Sequence, residues 1–323
     1  MIDPTKSNLY KLSTKKYLMI LLKVPTKEYL NQNFVAKQIN PYIQANPKPR
    51  LIEVPSDSLK KIQKNIKCEL NKIEVPSNAF SGIKGKSYVD NAAIHQNCNF
   101  LFKIDLTAFF PCITRETVYN FFKVDLKTPS DIANILTNFV TIDLTLCDIQ
   151  ESEPIEQFLL SKGIKTTNHL ISGSPASQIL SYLANHNMFD ELQNFCDKNE
   201  IIMSIYVDDI TFSSQHEISH KHKEIIYNII SKYLYRLSRS KVKYYTNTYP
   251  KSVTGTIISP NGNLNIPNSL SHKVMNELRN YKNNPNDEHS QKRLQGLIVA
   301  AQQTEPTKFS NIYNHVRNAT IKV

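Results

Sequence analysis

Ile201 to Phe212 reads I-I-M-S-I-Y-V-D-D-I-T-F. Two runs of β-branched and aromatic residues, the types that fit a pleated strand, flank Asp208-Asp209. The stretch therefore predicts a β-hairpin with carboxylates at its tip. An acidic pair between apolar strands either makes a tight turn or holds cations, and in isolation the turn is the commoner use. Asn99 to Pro111, N-F-L-F-K-I-D-L-T-A-F-F-P, shifts the balance, because a second apolar strand delivers Asp105 at its end. Two unit charges about 4 Å apart at an effective dielectric near ~20 repel by roughly 4 kcal/mol, so three clustered carboxylates need cations between them. Magnesium takes hard oxygen ligands and commonly sits between carboxylates and substrate phosphates. A pair of such ions can stabilise both the attacking and the leaving oxygen of an in-line phosphoryl displacement.

The composition is compatible with that chemistry. Lys and Arg outnumber Asp and Glu 39 to 28, a formal charge of +11, which favours a polyanionic partner. Sixteen Tyr and 14 Phe are available to stack bases, although Trp is absent. Five dispersed cysteines, with no paired metal spacing, suit a reducing compartment. The amino terminus has no apolar signal core and no stretch is long enough to span a bilayer, so a cytoplasmic protein with no membrane partner is expected. A length of 323 residues allows two or three subdomains.

Tyr206-Val207-Asp208-Asp209, preceded by Asp105-Leu106-Thr107-Ala108-Phe109-Phe110, closely resembles the palm motifs of reverse transcriptases. Asn91-Ala92-Ala93-Ile94-His95 matches the more specific Asn-Ala-x-x-His pattern of bacterial retron reverse transcriptases, and Val253-Thr254-Gly255 recurs in them before the thumb. The resemblance implies an α+β right-hand polymerase fold, with fingers, a ferredoxin-like palm of antiparallel sheet backed by helices, and a helical thumb. The expected divisions are 1–98 for the amino-terminal segment and fingers, 99–113 for the first catalytic strand, 114–168 for a helical insertion, 169–266 for the rest of the palm and 267–323 for an RNA-binding thumb.

It also implies roles. Asp105, Asp208 and Asp209 are the expected catalytic carboxylates. With the Leu106 carbonyl they are the ligands of two Mg2+ ions. Strand alternation makes Asp209 the more peripheral unless the hairpin tip twists it inward. Phe110 is the expected steric gate against a ribose 2′-hydroxyl, and Lys48 and Arg50 the triphosphate contacts. Lys243, with Lys241 as the alternative, matches the lysine near the leaving group. Ser172 and Gly173 are expected nucleotide contacts, in the place of the family loop Leu-Pro-Gln-Gly-x-Pro-x-Ser-Pro, where Ile171, Ser172 and Gln178 replace Pro, Gln and Pro. Asn91, His95, Val253, Thr254, Gly255, Arg279, Lys292 and Arg293 are family-specific or RNA-binding positions; His95 is not catalytic and has either a structural or an RNA-contact role.

The implied activity is copying part of a cognate structured noncoding RNA into a branched RNA–DNA hybrid, primed from an RNA 2′-hydroxyl, with dNTPs as substrates and an associated effector protein in antiviral defence. An intron or diversity-generating reverse transcriptase shares the acidic motifs, and a basic RNA-binding scaffold without catalysis is the alternative from another class.

Local patterns fill in the rest. Helices are expected over Ser56–Leu70 and Thr114–Lys123, from the Gly-Ser-Pro loop to about Lys198, and over Glu217–Arg239. Asp148, Glu151, Glu153 and Glu156 form a solvated acidic face. His216, His220 and His222 are closely spaced but lack a fourth zinc ligand nearby. A strand pair is expected over Val253–Ile258 and Asn263–Ile266, turning at Pro260-Asn261-Gly262.

Overall fold

The computed structural model describes residues 2–147 and 152–320; Asp148 and Glu151 of the acidic face lie outside the described residues. The chain opens with α1 (Lys15–Leu22), capped by the Thr14 side chain, then a 3-10 turn (Lys27–Leu30) and α2 (Gln32–Ala36). Strands β1 (Ile39–Gln44) and β2 (Arg50–Pro55) pair as an antiparallel hairpin. Helix α3 (Asp57–Leu70) starts at Ser56, whose side chain accepts from the Leu59 amide, and turns Leu59, Ile62, Ile66 and Leu70 into the core. Its apolar residues recur at helical spacing, so burial of that stripe rather than propensity holds it in place. A reciprocal Ser87–Asp90 capping box starts α4 (Tyr88–Ala93), which carries the Asn-Ala-x-x-His motif.

Strand β3 (Phe100–Asp105) leads to the short α5 (Phe109–Cys112) and to α6 (Arg115–Asn120), which passes into a π-helical turn (Phe121–Asp125). The helix expected to Lys123 thus changes pitch after Asn120, where Phe121 and Phe122 both enter the core. Then come α7 (Ser130–Val140), β4 (Thr141–Asp143), α8 (Ser152–Ser161) and β5 (Asn168–Leu170), with β4 and β5 paired. The helix expected to reach Lys198 without a break is two helices, α9 (Ser177–Leu183) and α10 (His186–Lys198). At the break Asn185 donates its side-chain amide to the Ser181 carbonyl and accepts the Tyr235 hydroxyl at 2.6 Å, so its polar group serves tertiary bonds at the junction.

Strands β6 (Ile202–Tyr206) and β7 (Asp209–Ser214) form the expected acidic hairpin. Helix α11 (His220–Lys232) is shorter at both ends than expected, beginning after the Ser219 cap and giving way at Leu234, whose φ is 65°. Strand β8 (Lys243–Tyr245) completes a four-stranded antiparallel sheet in the order β6-β7-β3-β8. Its interior is apolar: Phe102 and Phe212 stack with ring centres 5.9 Å apart, and Ile104 and Ile210 are fully buried. Burying each such side chain contributes about 1.5–3 kcal/mol.

Strands β9 (Lys251–Val253), β10 (Thr256–Ile258) and β11 (Leu264–Asn265) form a separate three-stranded sheet. Residues 253–258 are therefore two strands rather than one, because Thr254 (φ 43°) and Gly255 (φ 89°) make the paired left-handed positions of a tight hairpin turn. Helices α12 (Asn268–Asn283), α13 (Glu288–Gln302) and α14 (Ser310–Thr320) close the chain around their own small core of Val274, Tyr281, Leu294, Ile298 and Val316. The architecture is α+β, a central antiparallel sheet packed with helices and followed by a helical bundle. Among the described residues no helix is long and apolar enough to cross a membrane.

Candidate active site

The acidic site is built at the end of the central sheet. In the β3–β7 register Asp105 lies directly opposite Asp209, and Tyr206 pairs with Asp209 across a two-residue loop. Val207 holds φ at 58°, a conformation a β-branched residue adopts only when its surroundings impose it. That loop takes Asp208 out of strand alternation. The backbone is clamped on both sides: the Leu106 amide donates to the Asp208 carbonyl at 2.9 Å, and the Ser238 amide to the Asp105 carbonyl at 2.9 Å.

Asp208 and Asp209 consequently face one open cleft of about 420 Å3, together with Phe110, Tyr206 and Lys103. Asp105 lies beneath them, 5% exposed. Its two oxygens are 2.8 and 2.6 Å from Lys241 Nζ, while Lys103 Nζ is 2.9 Å from Asp209. Burial pushes the Asp208 carboxyl up to about 6, with the charges of Asp105 and Asp209 adding to the effect. Burial also raises Asp105, against the lowering pull of Lys241. A buried Asp208 whose ionisation is opposed by the charges of Asp105 and Asp209 suits a hard divalent cation, since carboxylate oxygen is its preferred donor. Among the described residues no three His, Cys, Asp or Glu side chains are gathered into a ligating set; the lysines draw Asp105 and Asp209 toward themselves. The donor chemistry fits a divalent ion, and Asp105, Asp208 and Asp209 are the side chains that would hold it.

The other predicted residues divide. Phe110 reaches the cleft, its neighbour Phe109 being buried against Tyr235. Thr254 and Gly255 line the same cleft. Lys241 makes the contact with Asp105, whereas the preferred Lys243 is exposed on β8 opposite Lys103. Asp209 is not peripheral, because it opens β7 at the hairpin tip beside Asp208. Lys48 and Arg50 are exposed around the β1–β2 turn and do not line the cleft.

Ser172 is turned away from the cleft. Its amide donates to Glu53 Oε2 at 2.8 Å and its hydroxyl to the Leu51 carbonyl, so it bonds to β2. Gly173 lies so close to β2 that an added Cβ would stand 2.1 Å from the Glu53 carbonyl oxygen. These contacts make the loop a joint with β2.

The family-specific residues are also connected to each other. The Asn91 side-chain amide donates to Thr254 Oγ at 3.1 Å, tying the Asn-Ala-x-x-His helix to the Val-Thr-Gly turn. His95 is fully buried, its ring nitrogens 2.6 Å from Ser213 Oγ and 2.8 Å from Ser204 Oγ. Burial lowers its pKa to about 3, so it is a neutral brace across β6 and β7. Both His95 and Val253 are buried, and neither presents a surface to RNA. Arg293 and Lys292 pair with Glu277 and Glu288 within the helical bundle, and Arg279 is exposed.

Lys103, Tyr206 and Gln178 are cleft residues that sequence reasoning did not assign to the site. Lys103 and Tyr206 could have been found from β register, each lying two residues before an Asp of the acidic site. Gln178 could not, since its placement depends on how α9 docks.

The reverse transcriptase (RNA-dependent DNA polymerase) family model matches residues 37–293. The chain therefore belongs to the reverse transcriptase family and is an RNA-directed DNA polymerase. Within that family it is of the bacterial retron type. It is 26% identical over 282 residues to the retron Ec83 reverse transcriptase of Escherichia coli, covering 84% of each chain. It is 27% identical over 227 residues to the retron Se72 reverse transcriptase of Salmonella heidelberg, covering 68% of this chain and 54% of that one. Among solved structures, an apo telomerase from Candida tropicalis truncated from its C-terminal domain shares the fold. The TM-score is 0.50 at 11% identity, over 72% of this chain and 55% of the telomerase chain. Reverse transcriptases generally use divalent metal ions.

Proposed function

We propose that this reverse transcriptase copies part of a cognate structured noncoding RNA into DNA, priming from an RNA 2′-hydroxyl so that the product is a branched RNA–DNA hybrid. The single observation that carries templated polymerisation at this site is that Asp208 and Asp209 share one cleft with Phe110 while Asp105 stands directly opposite Asp209 on the neighbouring strand. The retron-type Asn91–Thr254 connection, which lies at the edge of the same cleft, supports the branched product.

In this reading Asp105, Asp208, Asp209 and the Leu106 carbonyl hold two Mg2+ ions, which when bound polarise the primer hydroxyl and the triphosphate. Phe110 excludes the ribose 2′-hydroxyl of the incoming nucleotide. Lys241, freed from Asp105, is placed to neutralise the departing pyrophosphate; Lys48 and Arg50 reach the triphosphate from the fingers. The domain divisions 1–98, 99–113, 114–168, 169–266 and 267–323 serve as fingers, palm and an RNA-gripping thumb with Arg279 on its surface. We place the protein with an effector partner in antiviral defence.

The test is extension of a primed RNA template with dNTPs and Mg2+, followed by isolation of the cellular product made on its own RNA. Wild type should extend, and Asp208→Asn should lose at least about a hundredfold while keeping RNA affinity. The cellular DNA should carry a 2′,5′ linkage to RNA; DNA with an unattached 5′ end would remove the branched-product reading.

A further inference from the structure

The Gly-Ser-Pro loop lies beside the catalytic cleft, yet each of its hydroxyls is already engaged. Ser172 bonds to β2, Ser174 accepts from the Ala176 amide at 3.2 Å, and Ser177 donates to the Ile171 carbonyl at 2.5 Å. The next polar side chain in the chain is Gln178 at the start of α9, and it is exposed into the cleft that holds Phe110, Tyr206 and Asp208. It is also held from behind. Gly82 (φ 72°) comes so close that a Cβ there would stand 3.1 Å from Gln178 Cβ and 3.0 Å from the Ile179 amide nitrogen. The base of the Gln178 side chain is therefore fixed, while its amide end is free to meet a ligand.

We propose that Gln178 is a specificity-determining residue that donates a hydrogen bond to the minor-groove edge of the incoming nucleotide's base. This rests on the polymerase reading of the site. The minor-groove edge lies on the sugar side of a base, so an amide next to the ring beneath the sugar meets that edge first. Purine N3 and pyrimidine O2 are acceptors at nearly equivalent positions there, and one N–H donor serves all four bases. A correctly paired base presents its acceptor where the amide waits; a mispaired base is displaced from it. Gln178 would thus check geometry without reading sequence.

The experiment compares dATP with its 3-deaza analogue, which has a C–H in place of N3, in single-nucleotide incorporation on a primed RNA template. Wild type should use dATP about tenfold more efficiently in kcat/KM, the worth of one hydrogen bond. In Gln178→Ala that preference should fall to within about twofold, with the loss of dATP efficiency appearing mainly in KM. Ser172→Ala should keep the wild-type preference, because Ser172 faces β2. The same preference in wild type and Gln178→Ala, or no preference in wild type, overturns the assignment while dATP incorporation continues. Failure of wild type to incorporate dATP at all overturns the polymerase reading as well.

Discussion

Asp208 is ionised in the fold against opposition from its surroundings. Burial, then Asp105 and Asp209, push its carboxyl up to about 6 from an unfolded value of 3.8. The folded protein therefore holds the proton to higher pH than the unfolded chain does. Stability from this group is complete below the unfolded value and is lost as pH rises through about 6. For metal-free protein, Asp208→Asn should then melt above wild type at pH 7.5, by on the order of 2 kcal/mol, with the gap closing by about pH 4. A gap that does not change between those pH values would show that Asp208 is not the strained acid. Metal binding and the proton compete for the same carboxylate, which explains why a site evolved to hold cations tolerates this cost. The recognition of Asp208 needed only its flanking strands, but the strain at Val207 could not be read, since valine is an ordinary strand residue.

Strands β2 and β5 are joined by a buried pair. Glu53 and His169 are both fully buried, with Oε1 2.6 Å from Nε2, and Glu53 also accepts the Ser172 amide. Removing one member of such a pair leaves the other polar group buried and unmatched, a loss of about 3–5 kcal/mol. Glu53→Ala and His169→Ala should each reduce the urea midpoint strongly, and the double variant should cost much less than the sum. Additive losses would mean that the two groups do not act on one another. In the proposed reading the joint matters because β2 begins at Arg50, so the proposed triphosphate contact takes its position from β5 and the loop that follows it. Glu53 reads in sequence as one polar residue of a strand and His169 as the start of a loop. Their pairing spans 116 residues, and no local pattern announces it.

At the scale of the whole molecule the closing helices are loosely joined to the rest among the described residues. α12 to α14 have their own apolar core, and they reach the body through the Tyr88 hydroxyl on the Ala300 carbonyl and the Ile266 amide on Glu305. In the proposed reading, where the bundle grips a duplex, few bonds at its root favour its movement. Tyr88→Phe with Glu305→Ala should speed amide exchange across α12 to α14 and leave β3 unchanged. Equal acceleration in both would show that the bundle and the sheet unfold together.

The acidic hairpin, the strand ending at Asp105, the Ser56-capped helix and the basic bundle were legible in the chain alone, because each depends on short-range periodicity, capping or turn chemistry. The family motifs likewise named Phe110 and singled out Asn91 and Thr254, whose hydrogen bond to each other only the fold supplies. Tertiary structure alone decided that Lys241 rather than Lys243 meets Asp105, that Asp208 and Asp209 share a cleft, that His95 is a buried brace and that Gln178 faces the site. The physical reason is the same in each case: a side chain's neighbours across a sheet or a helix interface are set by how whole elements pack, and that packing has no period in the sequence.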